Sequence, residues 1–149
     1  MMVPDAFEVV RPADGVHAIL RRDPPDDAAN ANVLVIVNER DVIVVDATLT
    51  PASTEATIAA IRRMTSNPVR YVITTHWHDD HVLGNGAYAD AFPGVEFIGH
   101  AYTRLRMLDE VAPKLETNRT AYRDVLISRS AWRPAWTGTA RRSARSAAR

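Results

Sequence analysis

Three histidines and two aspartates occupy the six positions from His76 to His81, inside the stretch "ITTHWHDDHVLGN" at residues 73–85. The whole chain has five histidines, so most of them sit in one short segment. Neutral imidazole is the commonest protein ligand for zinc, and carboxylate is its common partner. His76, His78 and Asp80 are spaced by two, so a locally extended backbone directs all three to one side. His81 breaks that parity and points elsewhere. One metal does not need four such residues in six positions; two neighbouring metals do, with His76 and His78 on one and Asp80 and His81 on the other. A two-metal site can activate a bridging water as hydroxide at neutral pH. The bland alternative is a solvated polar loop, or histidines packed on Trp77. That would suit one histidine better than it suits H-x-H-x-D-H.

The rest of the composition narrows the chemistry. With no cysteine among 149 residues, disulfides and thiolate zinc sites are excluded, and a metal must bind through imidazole and carboxylate. The net charge is zero, which argues against a chain built mainly to bind nucleic acid. A hydrophobic fraction of 46% and a charged fraction of 24% are those of an ordinary globular protein. No apolar run has the length of a membrane span, so no membrane partner is expected. The opening "MMVPDAFEVVRPADG" shows no basic region followed by an apolar stretch, so a cytoplasmic location is expected.

The elements that must position the cluster follow from the pattern. FEVV (7–10) and GVHAIL (15–20) read as strands around a turn, and 21–32, with two prolines, as a loop. VLVIVN (33–38) and VIVVDA (42–47) are β-branched runs that form a hairpin, with at least one strand buried on both faces. Thr50 followed by Pro51 predicts a helix N-cap and first turn, with Ile58, Ile61 and Met64 on its apolar face. NPVRYVITT (67–75) returns as a strand and delivers the chain to the cluster. A short helix, a strand over 95–99 and a further helix from 101 follow. In that last helix Leu105, Leu108, Ala112 and Leu115 recur at helical spacing, and Pro113 is expected to bend it. The layout is α/β. Residues 129–149 hold no acidic residue and no Val, Ile, Leu or Phe, and are expected to be disordered. A basic nucleic-acid arm with Trp132 and Trp136 as stacking surfaces is the disfavoured reading of that tail.

"THWHDDH" followed by "LGN" resembles the H-x-H-x-D-H signature of the metallo-β-lactamase superfamily of metallohydrolases. "VLVIVNERDVIVVDATLTPAS", "NPVRYVITTHWHDDH" and "VEFIGHAYTR" extend the resemblance over about residues 7–125. It implies an αββα sandwich of two similar halves, of which this chain carries the N-terminal one. It implies zinc, two ions per complete site, with iron or manganese as other divalent candidates. By position His76 and His78 match first-metal ligands, and Asp80 and His81 match second-metal ligands. Asp80 also matches the residue that orients the attacking water and handles a proton, the catalytic role. Asp46 matches a buried carboxylate near the metal loop. Such carboxylates commonly fix the tautomer of a ligating histidine. A carboxylate that accepts backbone N–H groups at a turn is an equal reading of Asp46. His100 reads as a helix-start or packing residue, and His17 as a core-edge one.

The family's second half brings another histidine to the first metal, a bridging aspartate and a final histidine. After His81 this sequence has only His100, and Asp90, Asp109 and Asp124 lack the expected context. The expectation is therefore a partial domain over 1–128, and a tail over 129–149 that is not native to the fold. Two functions stand side by side. One is a metallohydrolase attacking an ester, lactam or thioester bond of a small-molecule substrate. The other is an inactive fragment or association module that binds metal weakly. A half-sandwich leaves an apolar sheet surface exposed, so self-association through the sheet is expected.

Overall fold

The computed structural model of the chain describes residues 7–22, 30–117 and 132–134. Its strands form one sheet of seven in the order β1 to β7. β1 (Phe7–Ala13) and β2 (Val16–Arg21) pair antiparallel, as do β2 with β3 (Val33–Val37) and β3 with β4 (Val42–Val45). β1 outruns the expected 7–10 because the turn falls later, at Asp14–Gly15. Gly15 has φ 70°, and a Cβ there would meet the Val37 carbonyl oxygen at 2.8 Å. The loop expected at 21–32 lies largely outside the described residues. From β4 onward the pairing is parallel, through β5 (Val69–Thr74), β6 (Glu96–Gly99) and the short β7 (Trp132–Pro134).

Parallel neighbours need a crossover, and α1 (Pro51–Met64) and α3 (Asn85–Ala91) supply two of them. Thr50 caps α1 as its sequence predicts: its hydroxyl accepts from Ser53 N–H, and the Ser53 hydroxyl answers the Thr50 N–H. Arg62 and Arg63 sit in the last turn, where the helix dipole favours cations. Ile58 and Ile61 bury against Val35, Val44, Val72 and Phe97, with Tyr88 of α3 fully enclosed beside them. Both helices thus serve the same face of the sheet. On the other face the strand side chains stay half-exposed, including Leu34, Ile36, Ile43, Val45, Ile73 and Ile98.

The structure departs from the sequence reading in two further places. After α4 (Ala101–Arg106) the chain makes a π-helical turn over Met107–Val111 before α5 (Ala112–Thr117). Pro113 cannot donate to the carbonyl four residues back, and its ring crowds that group, so the helix widens just before it. The wider turn also rotates the buried stripe. Thr103 and Val111 are buried with Met107 packing beside them, whereas Leu105 is 53% exposed. The side chain of Leu115 lies outside the described ones. The second departure is Trp132–Pro134, which lies in the stretch expected to have no regular structure. An edge strand such as β6 offers unpaired N–H and C=O groups, so a segment without strand periodicity can still add to it.

Ile61→Ala should cost about 3 kcal/mol in urea unfolding, because it empties a site packed on all sides. Leu105→Ala on the exposed side of α4 should cost under about 0.5 kcal/mol. Equal costs would contradict the assignment of the buried stripes.

Candidate functional site

The cluster starts where β5 ends. Thr75 to His78 leave the sheet in irregular backbone, and His78 then opens a single helical turn, α2 (Asp79–Val82). The His81 N–H reaches the His78 carbonyl at 2.9 Å, and the Leu83 N–H reaches that of Asp79 at 2.9 Å. This corrects the parity argument. Asp80 and His81 belong to a helical turn rather than an extended run, so the even spacing of His76, His78 and Asp80 does not align them. With Asp79 and Asp80 in the first turn, the carboxylates sit where the helix dipole favours them.

The loop is fastened to the segment after β4 by main-chain bonds. Asp46 N–H donates to the Ile73 carbonyl at 2.8 Å, Ala47 N–H to that of His81 at 3.0 Å, and Gly84 N–H to that of Thr48 at 2.8 Å. That last approach requires glycine. A Cβ on residue 84 would lie 2.2 Å from Thr54 Oγ1 and 2.9 Å from Thr48 N. Thr54 Oγ1 is itself 2.6 Å from Thr48 Oγ1, so the start of α1 and the cluster close on one small polar joint.

Asp46 is the hub. It is 7% exposed and has φ 64°, a left-handed backbone that few residues other than glycine, asparagine and aspartate adopt. Its Oδ1 accepts from Thr75 N–H at 2.8 Å, and the Thr75 hydroxyl lies 2.9 and 2.8 Å from its two oxygens. Its Oδ2 lies 2.9 Å from His81 Nδ1. That contact is close but not aligned as a hydrogen bond, and among the described residues the buried Nδ1 has no hydrogen-bond partner. Asp46 thus accepts a backbone N–H at a turn and also faces the ring nitrogen of a candidate ligand. Thr75, which sequence reasoning passed over, adds a second connection. Its Oγ1 is 3.0 Å from His76 Nδ1. A hydroxyl has one proton, so a Thr75 that donates to Asp46 accepts from His76 Nδ1–H, leaving Nε2 of His76 with its lone pair. The signal was in the sequence, as a hydroxyl residue directly before the first histidine.

The imidazoles lie together. His76 and His81 have ring centroids 3.9 Å apart, and His76 and His78 4.6 Å. His78, exposed, meets Trp77 edge-on, and the Arg106 guanidinium lies 5.1 Å from the Trp77 ring centroid. Burial, reinforced by repulsion from His81 and then His78, holds the His76 pKa below its ordinary value, so the ring favours the neutral form that can ligate. The Nε2 of His81 is 3.3 Å from Asp80 Oδ2. Asp79 instead faces Lys114 at 3.3 Å. His100 lies apart and caps α4 by accepting from Tyr102 N–H at 3.1 Å. The donor types are those of a zinc site. Their arrangement is not a complete one: among the described residues no three of His, Asp and Glu are placed to hold one ion. The rings pack edge-on and tilted against one another, with His81 Nε2 turned to Asp80, so the donors as placed do not converge on one ion.

Comparison with known proteins follows the same lines. A family model described as the metallo-beta-lactamase superfamily matches residues 26–139. Among solved structures, the chain is similar to a metallo-beta-lactamase from Hirschia baltica at 25% identity and TM-score 0.61, covering 72% of this chain and 49% of that one. A second, from Erythrobacter litoralis with beta mercaptoethanol in its active site, gives 24% identity, TM-score 0.61, and 74% and 48% coverage. A third, from Pseudomonas aeruginosa in a mono-zinc form, gives 20%, TM-score 0.59, and 70% and 46%. The last two show likeness of fold alone. The chain spans about half the length of these structures. No curated protein sequence matches it. No helix among the described residues is long and apolar enough to cross a membrane.

Three outcomes follow from this geometry. Asp46→Ala should cost on the order of 1–2 kcal/mol, since it removes the buried carboxylate that accepts from the Thr75 N–H and hydroxyl. Asp46→Asn, which tolerates the same backbone and still accepts from Thr75, should cost clearly less; equal losses would contradict the hub role. Gly84→Ala should cost about 2 kcal/mol by forcing the joint apart. The third concerns pH. His76 has a folded pKa below its unfolded value of 6.5, so the unfolded chain binds more protons between the two. Stability should therefore fall as pH drops below 6.5, and His76→Gln should flatten that slope in denaturant melts at pH 5 to 7.

Proposed function

The chain belongs to the metallo-beta-lactamase superfamily, and from that premise we propose that it carries one edge of a hydrolytic metal site. The reaction class is hydrolysis of an ester, lactam or thioester type of bond in a small molecule, in which water adds to the carbonyl carbon and the leaving group departs. His76, His78, Asp80 and His81 are the candidate zinc ligands, and Asp80 is the candidate for orienting the water. The observation that carries this reading is the Asp46 hub. A carboxylate that contacts Thr75 and His81 directly, and His76 through the Thr75 hydroxyl, ties together two imidazoles whose ring centroids lie 3.9 Å apart. A merely solvated loop would have no use for that arrangement. Its location, where a parallel strand leaves the sheet, is also where α/β folds place ligands.

A second reading is a catalytically inactive association module that binds metal weakly. It is favoured by the incomplete donor set among the described residues. Two imidazoles hold zinc far less tightly than the three-ligand set of a catalytic site.

Elemental analysis of protein purified without chelator or affinity tag tests the ligand assignment. Zinc should be present, and His76→Ala combined with His78→Ala should reduce it at least tenfold, while His100→Ala leaves it unchanged. Zinc content indifferent to the double substitution would overturn the assignment. Turnover of generic esters, lactones and cephalosporins with zinc supplied separates the two functions: measurable hydrolysis that depends on Asp80 supports the first, and its absence supports the second.

A further inference from the structure

The histidine-bearing loop leaves the sheet after Thr74, the last residue of β5, and α3 begins beyond it at Asn85. Both flanking residues are sealed inside the protein: Thr74 is 2% exposed and Asn85 0%. Yet the Thr74 hydroxyl and both polar atoms of the Asn85 carboxamide have no hydrogen-bond partner among the described residues. Unmet polar atoms are rare in protein interiors because burial strips them of water without replacing it. The two side chains enter the same layer. On β5, Thr74 is in phase with the buried Val72; on α3, Asn85 precedes Tyr88 by one turn, and Tyr88 packs in the core with Val72. α3 also packs on β5. The backbone on either side is fixed, since the Ile73 carbonyl accepts from Asp46 N–H and Gly84 N–H donates to the Thr48 carbonyl. Neither end of the loop is free to carry its side chain to another partner.

We propose that Thr74 and Asn85 form an internal hydration site, in which one long-lived water bridges the two ends of the loop and closes its base. The chemistry of the three atoms selects water. Asn85 Oδ1 only accepts, Asn85 Nδ2 only donates, and the Thr74 hydroxyl does either. A cation would leave Nδ2 unmet and an anion would leave Oδ1 unmet, whereas water donates and accepts at once. Neither residue carries a charge to neutralise an ion taken out of solvent. A buried water makes about three hydrogen bonds, which matches the three atoms waiting for one. The enclosure of both side chains keeps out a larger ligand. Such a water gives the loop a further fastening, beside the contacts of Asp46 with Thr75 and the bond from Gly84 to Thr48. The site stands whether or not the loop holds a metal.

Water cross-relaxation NMR of the full chain in zinc-free buffer tests this directly. The Asn85 side-chain amide protons and the Thr74 methyl protons should both show Overhauser contacts to water, with the sign of a water that tumbles with the protein. Thr74→Val should remove the contact at Asn85, and Thr74→Ser, which keeps the hydroxyl, should retain it. In urea unfolding, Thr74→Val and Asn85→Leu should be coupled by about fivefold or more in the folding constant, because each deprives the same water of a partner. Exchange of the Ala47 and Gly84 amides, which hold the loop, should quicken in Asn85→Leu relative to amides of β3. An Asn85 amide without a bound-water contact overturns the proposal, and the wild-type spectrum decides that even where a substitution fails to fold. A contact that survives Thr74→Val, or additive substitutions, overturns the shared water. A folding constant raised about tenfold by Asn85→Leu alone also overturns it, being the gain expected from removing unmet atoms from a dry core.

Discussion

A single buried carboxylate in a left-handed backbone organises the His76–His81 loop. Asp46 ends β4 at φ 64°, a conformation that costs on the order of 1 kcal/mol or more for a residue with a side chain. Its hydrogen bonds with Thr75 offset that cost, because bonds to a charged acceptor are about twice as strong as neutral ones. The turn at Asp46 aims the carboxylate across to the end of β5, where a regular strand would have carried it past. His81 is contacted directly and His76 through Thr75. Without that turn, nothing else described would hold the two rings in one orientation.

The rest of the fold serves this hub from behind. β4 and β5 are parallel neighbours at the centre of the sheet, so their C-terminal ends emerge side by side, and Asp46 and Thr75 meet because of it. The threonine joint of Thr48 and Thr54, closed over Gly84, ties the far end of the loop to the start of α1. The capped helix therefore fixes the loop as well as covering the core. All of this packing lies on one side of the sheet. The same one-sidedness that gives the helices a common core leaves the opposite face only half-buried among the described residues.

Much of this was legible in the residues, and the exceptions have physical causes. The β-branched runs of β3 and β4 and the Thr50–Pro51 cap gave their elements directly, since local periodicity and capping chemistry act over a few residues. The parity argument for His76, His78 and Asp80 failed because it took the backbone to be extended, and Asp79–Val82 is helical. No periodicity exists in four residues to reveal that. The apolar stripe of α4 was misplaced because a π-helical turn changes the angular step, so Met107 and Val111, not Leu105, face inward. Trp132–Pro134 pairs with β6 through main-chain groups, which composition does not register. Thr75 was overlooked because its role depends on a residue 29 positions away in the chain.

The most direct measurement is the imidazole 15N spectrum of the full chain during a zinc titration. His76, His78 and His81 should shift together in one saturable step, each at Nε2 or Nδ1 as ligation dictates, while His17 and His100 stay in place. Shifts confined to His17 or His100, or five histidines that drift in parallel without saturation, would contradict the account of the loop as a metal-binding edge.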